Sequence, residues 1–256
     1  MFDRLPRSGA EIVTLSHDYR TGHVIPLHFH DRDQLVFASR GVMTVTTSAG
    51  SWVVPMHRAV WIPENTPHTI AMSGNVAMRT LYLRPRLATS LPRDCRVVNI
   101  LPLLRELILH ACASGSLRRR VLWQGHLIDV VLDQLRVLSV APLQLPHPSD
   151  PRAHRVAETL LADPSDARPL SAIAMSSGAG RRTIERLFVS TTGMTFGKWR
   201  QQLRLMHAMR LLGAGAKVTH AALDAGYSTP SAFIAAFRKA LGTTPTQYFK
   251  DATGSD

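Results

Sequence analysis

The sequence predicts an α+β chain: an N-terminal antiparallel β-barrel followed by helices, then an all-α C-terminal domain that repeats one short helix–turn–longer helix unit. Three observations predict it. Short β-rich runs fill the first third, punctuated by Gly22, Gly41, Gly50, Pro55, Pro63 and Gly74. From Val98 the apolar period changes from strand-like to helical. The last hundred residues carry the same residue frame twice.

The β runs are 35–37, 42–47, 52–54, 59–62 and 78–83, and many short strands at even spacing are the pattern of a barrel or sandwich. Next, Leu104, Leu107, Ile108 and Ala111, then Trp123, Leu127, Val131, Leu135 and Leu138, fall at helical spacing. They predict two helices broken near Gly115. Pro142, Pro146, Pro148 and Pro151 then mark a semi-rigid linker. The expected organisation is a barrel over 1–97, a helical dimerisation segment over 98–140, a linker over 141–151 and a helical domain over 152–256.

Composition narrows the class. At 256 residues and 45% apolar content the chain is long enough to bury a core, so disorder is not the expected state. The most apolar stretch, 127–145, is cut by Asp129, Asp133 and Arg136, so no membrane span is expected. The N-terminal residues lack a secretory pattern, and Cys95 and Cys112 are too few for a disulfide framework, which points to the cytoplasm. Net charge is +12, with all but four of the 30 basic residues being Arg, the better phosphate fork. A polyanionic partner is one explanation and an Arg-rich genome is another. The excess is shared evenly between the halves, so charge alone does not place a binding face.

The repeat is more local. Ala174 and Ala222 are each followed four residues on by glycine (Gly178, Gly226), and later by Phe188 and Phe237. Five residues past each phenylalanine stands glycine (Gly193, Gly242), then x-Thr and an aromatic, Trp199 or Tyr248. Such a pair of helices around a glycine turn is the order of a helix-turn-helix, whose second helix enters the major groove. In the first copy Ile184, Leu187 and Phe188 form the inward stripe, leaving Arg182, Glu185 and Arg186 outward. Arg forks onto guanine and Glu accepts from cytosine. The alternative is a solvated face carrying an Arg181–Glu185 pair. In the second copy Thr229 is the expected N-cap and Pro230 the first helical residue. Ser231, Ile234, Ala235 and Arg238 then lie outward or at the edge. Between the copies, the run 195–212 buries Phe196, Trp199, Leu203 and Met206 and presents Lys198, Arg200 and Arg204.

The run VTHAALDAGYSTPSAFIAAFRKALGTTPTQY closely resembles the second helix-turn-helix signature of AraC/XylS-type transcriptional regulators, and RRTIERLFVSTTGMTFGKWRQQLRLMHAMRLL is similar to their first unit and connecting helix. The resemblance spans about 153–250. It implies a sequence-specific regulator of promoter DNA, with Arg182, Glu185 and Arg186 facing bases from the first unit and Ser231, Ile234 and Ala235 from the second. Gly180 stands where the family usually has a capping Ser, and Ala235 where many members have Arg. The second unit is therefore expected to read fewer bases.

The N-terminal histidines form a separate pattern. Gly22, His28-x-His30, Gln34 and Gly41 resemble the first cupin motif, with Gln in the usual Glu place; Pro63-x-Asn65-x-x-His68 resembles the second, with Asn replacing Gly. On a strand His28 and His30 share a face. With His68 and Gln34 they could surround one ion, a donor set suited to Zn, Fe, Ni or Cu. A metal-dependent oxygenase or isomerase is the competing class. Fusion to a DNA-binding half favours a non-enzymatic sensor of a small-molecule effector. A homodimer through the 98–140 helices is expected, with Leu103, Leu104, Leu107 and Ile108 as seam candidates and packing back onto the barrel as the alternative.

Overall fold

The computed structural model describes residues 9–85, 87 and 91–250. Contacts divide the chain into two compact units, one of 1–47 with 52–142 and one of 48–51 with 143–256. The first unit holds strands β1 (Ile12–Tyr19), β2 (Val24–His28), β3 (Asp33–Thr47), most of β4 (Gly50–Val54), β5 (Arg58–Ile62), β6 (His68–Leu83) and β7 (Arg96–Asn99), then helices α1 (Pro102–Ser114) and α2 (Leu122–Arg136).

Two long strands organise the sheet. The runs expected at 35–37 and 42–47 are one 15-residue strand, β3, and it pairs antiparallel with the 16-residue β6 along most of its length. The register slips between Ala38 and Arg40 and again before Val42, so the strand bends there. Gly41 makes the bend possible: its φ is 80°, and a Cβ would stand 2.7 Å from the Asn75 carbonyl oxygen. Bending lets each long strand serve two neighbours. The first part of β6 pairs with β2 and the rest with β1, while the first part of β3 also pairs with β5, which carries β7 at its far edge. Among the described residues these pairings do not close into a ring, so the expected barrel is an open, jelly-roll-like antiparallel sheet.

One core lies between this sheet and the helices. Ile12, Phe37, Trp61 and Leu83 meet Leu104, Ile108, Ile128, Val131 and Leu135 there. Burying each such side chain contributes about 1.5–3 kcal/mol. Leu104 and Ile108 are therefore not free for a seam; Leu107 packs against the same core, and only Leu103 of the four candidates is exposed.

In the second unit the proline-rich stretch contains a short strand, β8 (Gln144–Pro146), and the Trp199 indole donates to the Pro146 carbonyl at 2.7 Å, which pins it. Helix α3 (Pro151–Ala162) follows, its first turn capped by the Asp150 carboxylate. Then come α4 (Leu170–Met175), α5 (Arg181–Thr192), α6 (Phe196–Gly213), α7 (Val218–Asp224), α8 (Pro230–Leu241) and α9 (Pro245–Lys250). The sequence repeat is a packing repeat. Phe188 meets Trp199 edge-to-face at 5.3 Å and 71°, and Phe237 meets Tyr248 at 5.6 Å and 76°. Among the described residues no helix is long and apolar enough to cross a membrane.

Candidate functional site

Helices α5 and α8 occupy corresponding places in the repeat. Each follows a short helix and a glycine with positive φ, Gly178 at 72° and Gly226 at 82°, and each ends on a left-handed glycine, Gly193 or Gly242. Helix α8 is capped by Thr229, whose hydroxyl accepts from the Ala232 amide at 3.2 Å. Helix α5 begins at Gly180, which offers no side-chain cap.

Inward, α5 buries Ile184, Leu187 and Phe188, and α8 buries Phe233 and Phe237. Outward on α5, Arg182 and Arg186 are exposed and their guanidinium groups make no hydrogen bond or ion pair among the described residues. Glu185 is half-buried and accepts from Arg181 Nε at 2.9 Å, so the pair foreseen as the solvated-face alternative exists. On α8, Ser231, Ala235 and Arg238 are exposed and Ile234 is half-buried.

Arg200 sits differently. Its guanidinium donates to the Arg168 carbonyl at 2.9 Å and to the Asp166 carbonyl, and it lies 6.0 Å from the Phe196 ring. One turn on, Arg204 donates to the Pro164 and Asp166 carbonyls. Together they stitch α6 to the loop that leads into α4. The Asp166 carboxylate in that loop, buried itself, is held below its ordinary pKa by the Arg168 guanidinium. Sequence reasoning placed Arg200 on an outward face because its carbonyl partners lie more than thirty residues away.

In the first unit the strands bring three histidines together. His28 on β2 stands directly opposite His68 on β6, and their rings are 4.3 Å apart; His30 follows two residues on, 4.8 Å from His28 and 5.6 Å from His68. The loop between β5 and β6 is fastened to this place. Asn65, at φ 58°, donates its amide to the His30 carbonyl at 2.7 Å. Asparagine tolerates that left-handed conformation, which is why it can replace the motif's glycine.

The ring nitrogens are sorted by their neighbours. His28 Nδ1 lies 2.7 Å from the Pro26 carbonyl and His68 Nδ1 2.8 Å from the Thr66 carbonyl. Carbonyl oxygens only accept, so each Nδ1 carries a proton, and in the neutral imidazole Nε2 is then the nitrogen with the free lone pair. His30 Nε2 and His68 Nε2 are buried without a partner among the described residues. Burial pushes both imidazoles down to about 4, with the neighbouring histidines adding to the effect, so both are neutral at physiological pH. Ligand atoms of all three lie within 4.8 Å of one another. Imidazoles on one ion at 2.0–2.1 Å stand no more than about 4.2 Å apart, so small ring rotations suffice and the donors fit a transition metal.

Gln34, expected as a fourth ligand, is linked to this cluster through Tyr82. It is buried, its amide nitrogen donates to the Tyr82 hydroxyl at 3.2 Å, and the Tyr82 ring lies 4.8 Å from His30; the amide oxygen is buried without a partner. Tyr82 was missed in the sequence, although its place in the predicted strand 78–83 marks it as a sheet residue.

Comparison with known proteins bears on both places. Residues 12–122 match the family model of the AraC-like ligand binding domain and residues 173–251 that of a helix-turn-helix domain. The chain is 34% identical over 228 residues to the HTH-type transcriptional regulator NimR of Escherichia coli, covering 89% of this chain and 83% of NimR. The chain belongs to the AraC-type family of transcriptional regulators. This AraC-type regulator is also 35% identical over 107 residues to the HTH-type transcriptional regulator RipA of Corynebacterium diphtheriae, covering 42% of this chain and 31% of RipA. Crystallised ToxT from Vibrio cholerae is 12% identical, with a TM-score of 0.42, and the match covers 95% of this chain and 100% of that one. The AraC-type regulator thus joins an N-terminal ligand-binding domain to a DNA-binding helix-turn-helix domain.

Proposed function

We propose that this AraC-type protein is a cytoplasmic, sequence-specific regulator that grips promoter DNA with two helix-turn-helix units. In this reading α5 reads bases through Arg182 and Arg186, and α8 contributes Ser231, Ile234 and Arg238 mainly to positioning. The observation that carries it is the repeated geometry: two amphipathic helices, each after a glycine turn and over the same aromatic pair, with Arg182 and Arg186 outward and unpartnered among the described residues. Arg200 holds the fold of that unit rather than a phosphate. Footprinting on the DNA upstream of its own gene tests the proposal: a protected site of two half-regions is expected, and binding no tighter than to random duplex overturns it.

The N-terminal domain is proposed to sense its small-molecule effector through a divalent transition metal, Zn, Fe, Ni or Cu, on His28, His30 and His68, with Gln34 behind Tyr82. Replacing His28 and His30 together by alanine should remove bound metal and leave the thermal unfolding of the C-terminal unit unchanged. Metal retained at the wild-type stoichiometry would refute the site. A homodimer is proposed through α2 and its C-cap, where Trp123, Val130 and the C-cap residue Val137 stand seven residues apart and are 49%, 41% and 69% exposed. Such spacing is the seam of paired helices, and sedimentation showing a monomer for Val130→Asp and a dimer for the wild type is the expected result.

A further inference from the structure

If His28, His30 and His68 hold a divalent ion, its charge favours an anionic fourth ligand over neutral water. A histidine ligates only as the neutral imidazole, so three of them leave the ion's double positive charge intact. Gln34, the polar side chain buried beside the cluster, supplies an amide where a carboxylate would have neutralised one unit, and its N–H is already given to Tyr82. The acidic neighbours do not close the gap. The Asp33 carboxylate accepts the Glu64 amide at 3.0 Å, and exposed Asp31, next to His30 in the chain, acts on it through space only. A bound cation left uncompensated in a half-buried place is costly, and three protein ligands leave a coordination position open. His28, on the edge strand β2, and His30 are partly exposed whereas His68 is buried, so solvent reaches one side of the cluster.

We infer that the effector is an anion that enters the metal's inner sphere: a small carboxylate, enolate or phenolate donor supplying the negative charge Gln34 withholds. This rests on the metal reading given above. Ligand specificity would then come first from donor charge, and exchange of the donor would change the charge of the half-buried centre by one unit, a large local signal in that environment. Neutral molecules of the same shape would be rejected.

The full-length protein, stripped with a chelator and loaded with one equivalent of Co²⁺, tests both steps separately. Wild-type protein should develop the visible d–d bands of imidazole-bound cobalt. Azide and acetate should then shift those bands saturably, and acetamide, the neutral isostere of acetate, should not. Gln34→Glu, which places the missing charge in the protein, should bind cobalt more tightly and respond to azide at least tenfold more weakly. Cobalt bands absent from folded wild-type protein would overturn the metal reading and this inference together. Cobalt bands that ignore azide and acetate, or answer acetamide equally, would overturn the anionic effector and leave the metal reading standing.

Discussion

Replacing Arg186 by alanine separates reading from folding more cleanly than any other change in α5. Arg186 is exposed, stands four residues from the equally exposed Arg182, and has no partner among the described residues. Its loss should therefore change stability by no more than about 0.5 kcal/mol, and relief of the like-charge pair would itself return about 0.2–0.5 kcal/mol. A bidentate contact to guanine contributes about 1–3 kcal/mol of discrimination, which is roughly 5- to 150-fold in affinity. Fluorescence anisotropy against the footprinted promoter fragment and against variants substituted at each base pair measures it. Affinity should fall by that factor for the parent site, preference should relax at one position, and the melting temperature should stay within experimental scatter. Wild-type affinity with unchanged base preference would refute the placement of α5 in the groove.

Other expectations follow from the same geometry. Arg200→Ala removes a charged donor from two carbonyls of the loop before α4, so the second unit should lose about 1–3 kcal/mol in denaturant unfolding while the salt dependence of DNA binding is unchanged. Thr229→Ala should cost about 1 kcal/mol through loss of the α8 cap, measured the same way. Cys95 is pushed up to about 12 by burial, with the Asp94 carboxylate adding to the effect, so Ellman's reagent at pH 8 should label it only after unfolding. Because the folded thiol holds its proton more tightly than the unfolded one, its contribution to stability is complete below about pH 9 and declines as pH rises toward 12.

Helix order, the repeat and the histidine pattern were legible because each is carried by spacing within a few dozen residues. Phe188, Gly193 and Trp199 announce the same contacts as Phe237, Gly242 and Tyr248, since identical spacing on the same helix-turn-helix path builds the same edge-to-face pair. Strand β2 was not legible as a strand: it is an edge exposed on both faces, so no alternation of apolar and polar residues marks it. Leu104 and Ile108 show why a seam is hard to read. An amphipathic helix declares that it has an apolar stripe, and only the tertiary fold declares whether the stripe meets its own sheet or a second copy. For Arg200, the sequence shows only a cation on a helix face; its hydrogen bonds to carbonyls of a distant loop become visible only in the fold.

The +12 charge overstates what nucleic acid can use, and the difference is measurable. In the second unit Arg152 is spent on Asp150, Arg168 on Asp166, Arg181 on Glu185, and Arg155, Arg200 and Arg204 on backbone carbonyls. The cations whose side chains have no hydrogen bond or ion pair among the described residues there are Arg182, Arg186, Lys198, Lys217, Arg238 and Lys239. Each phosphate neutralised releases about 0.9 of a counterion, so if all six reached phosphates the slope of log affinity against log salt would be about −5 per protomer. Base-reading arginines lie closer to groove edges than to phosphates, which makes the expected slope shallower than that limit. A slope distinctly steeper than −5 would mean that the internally paired arginines are released on DNA, and that the second unit rearranges when it binds.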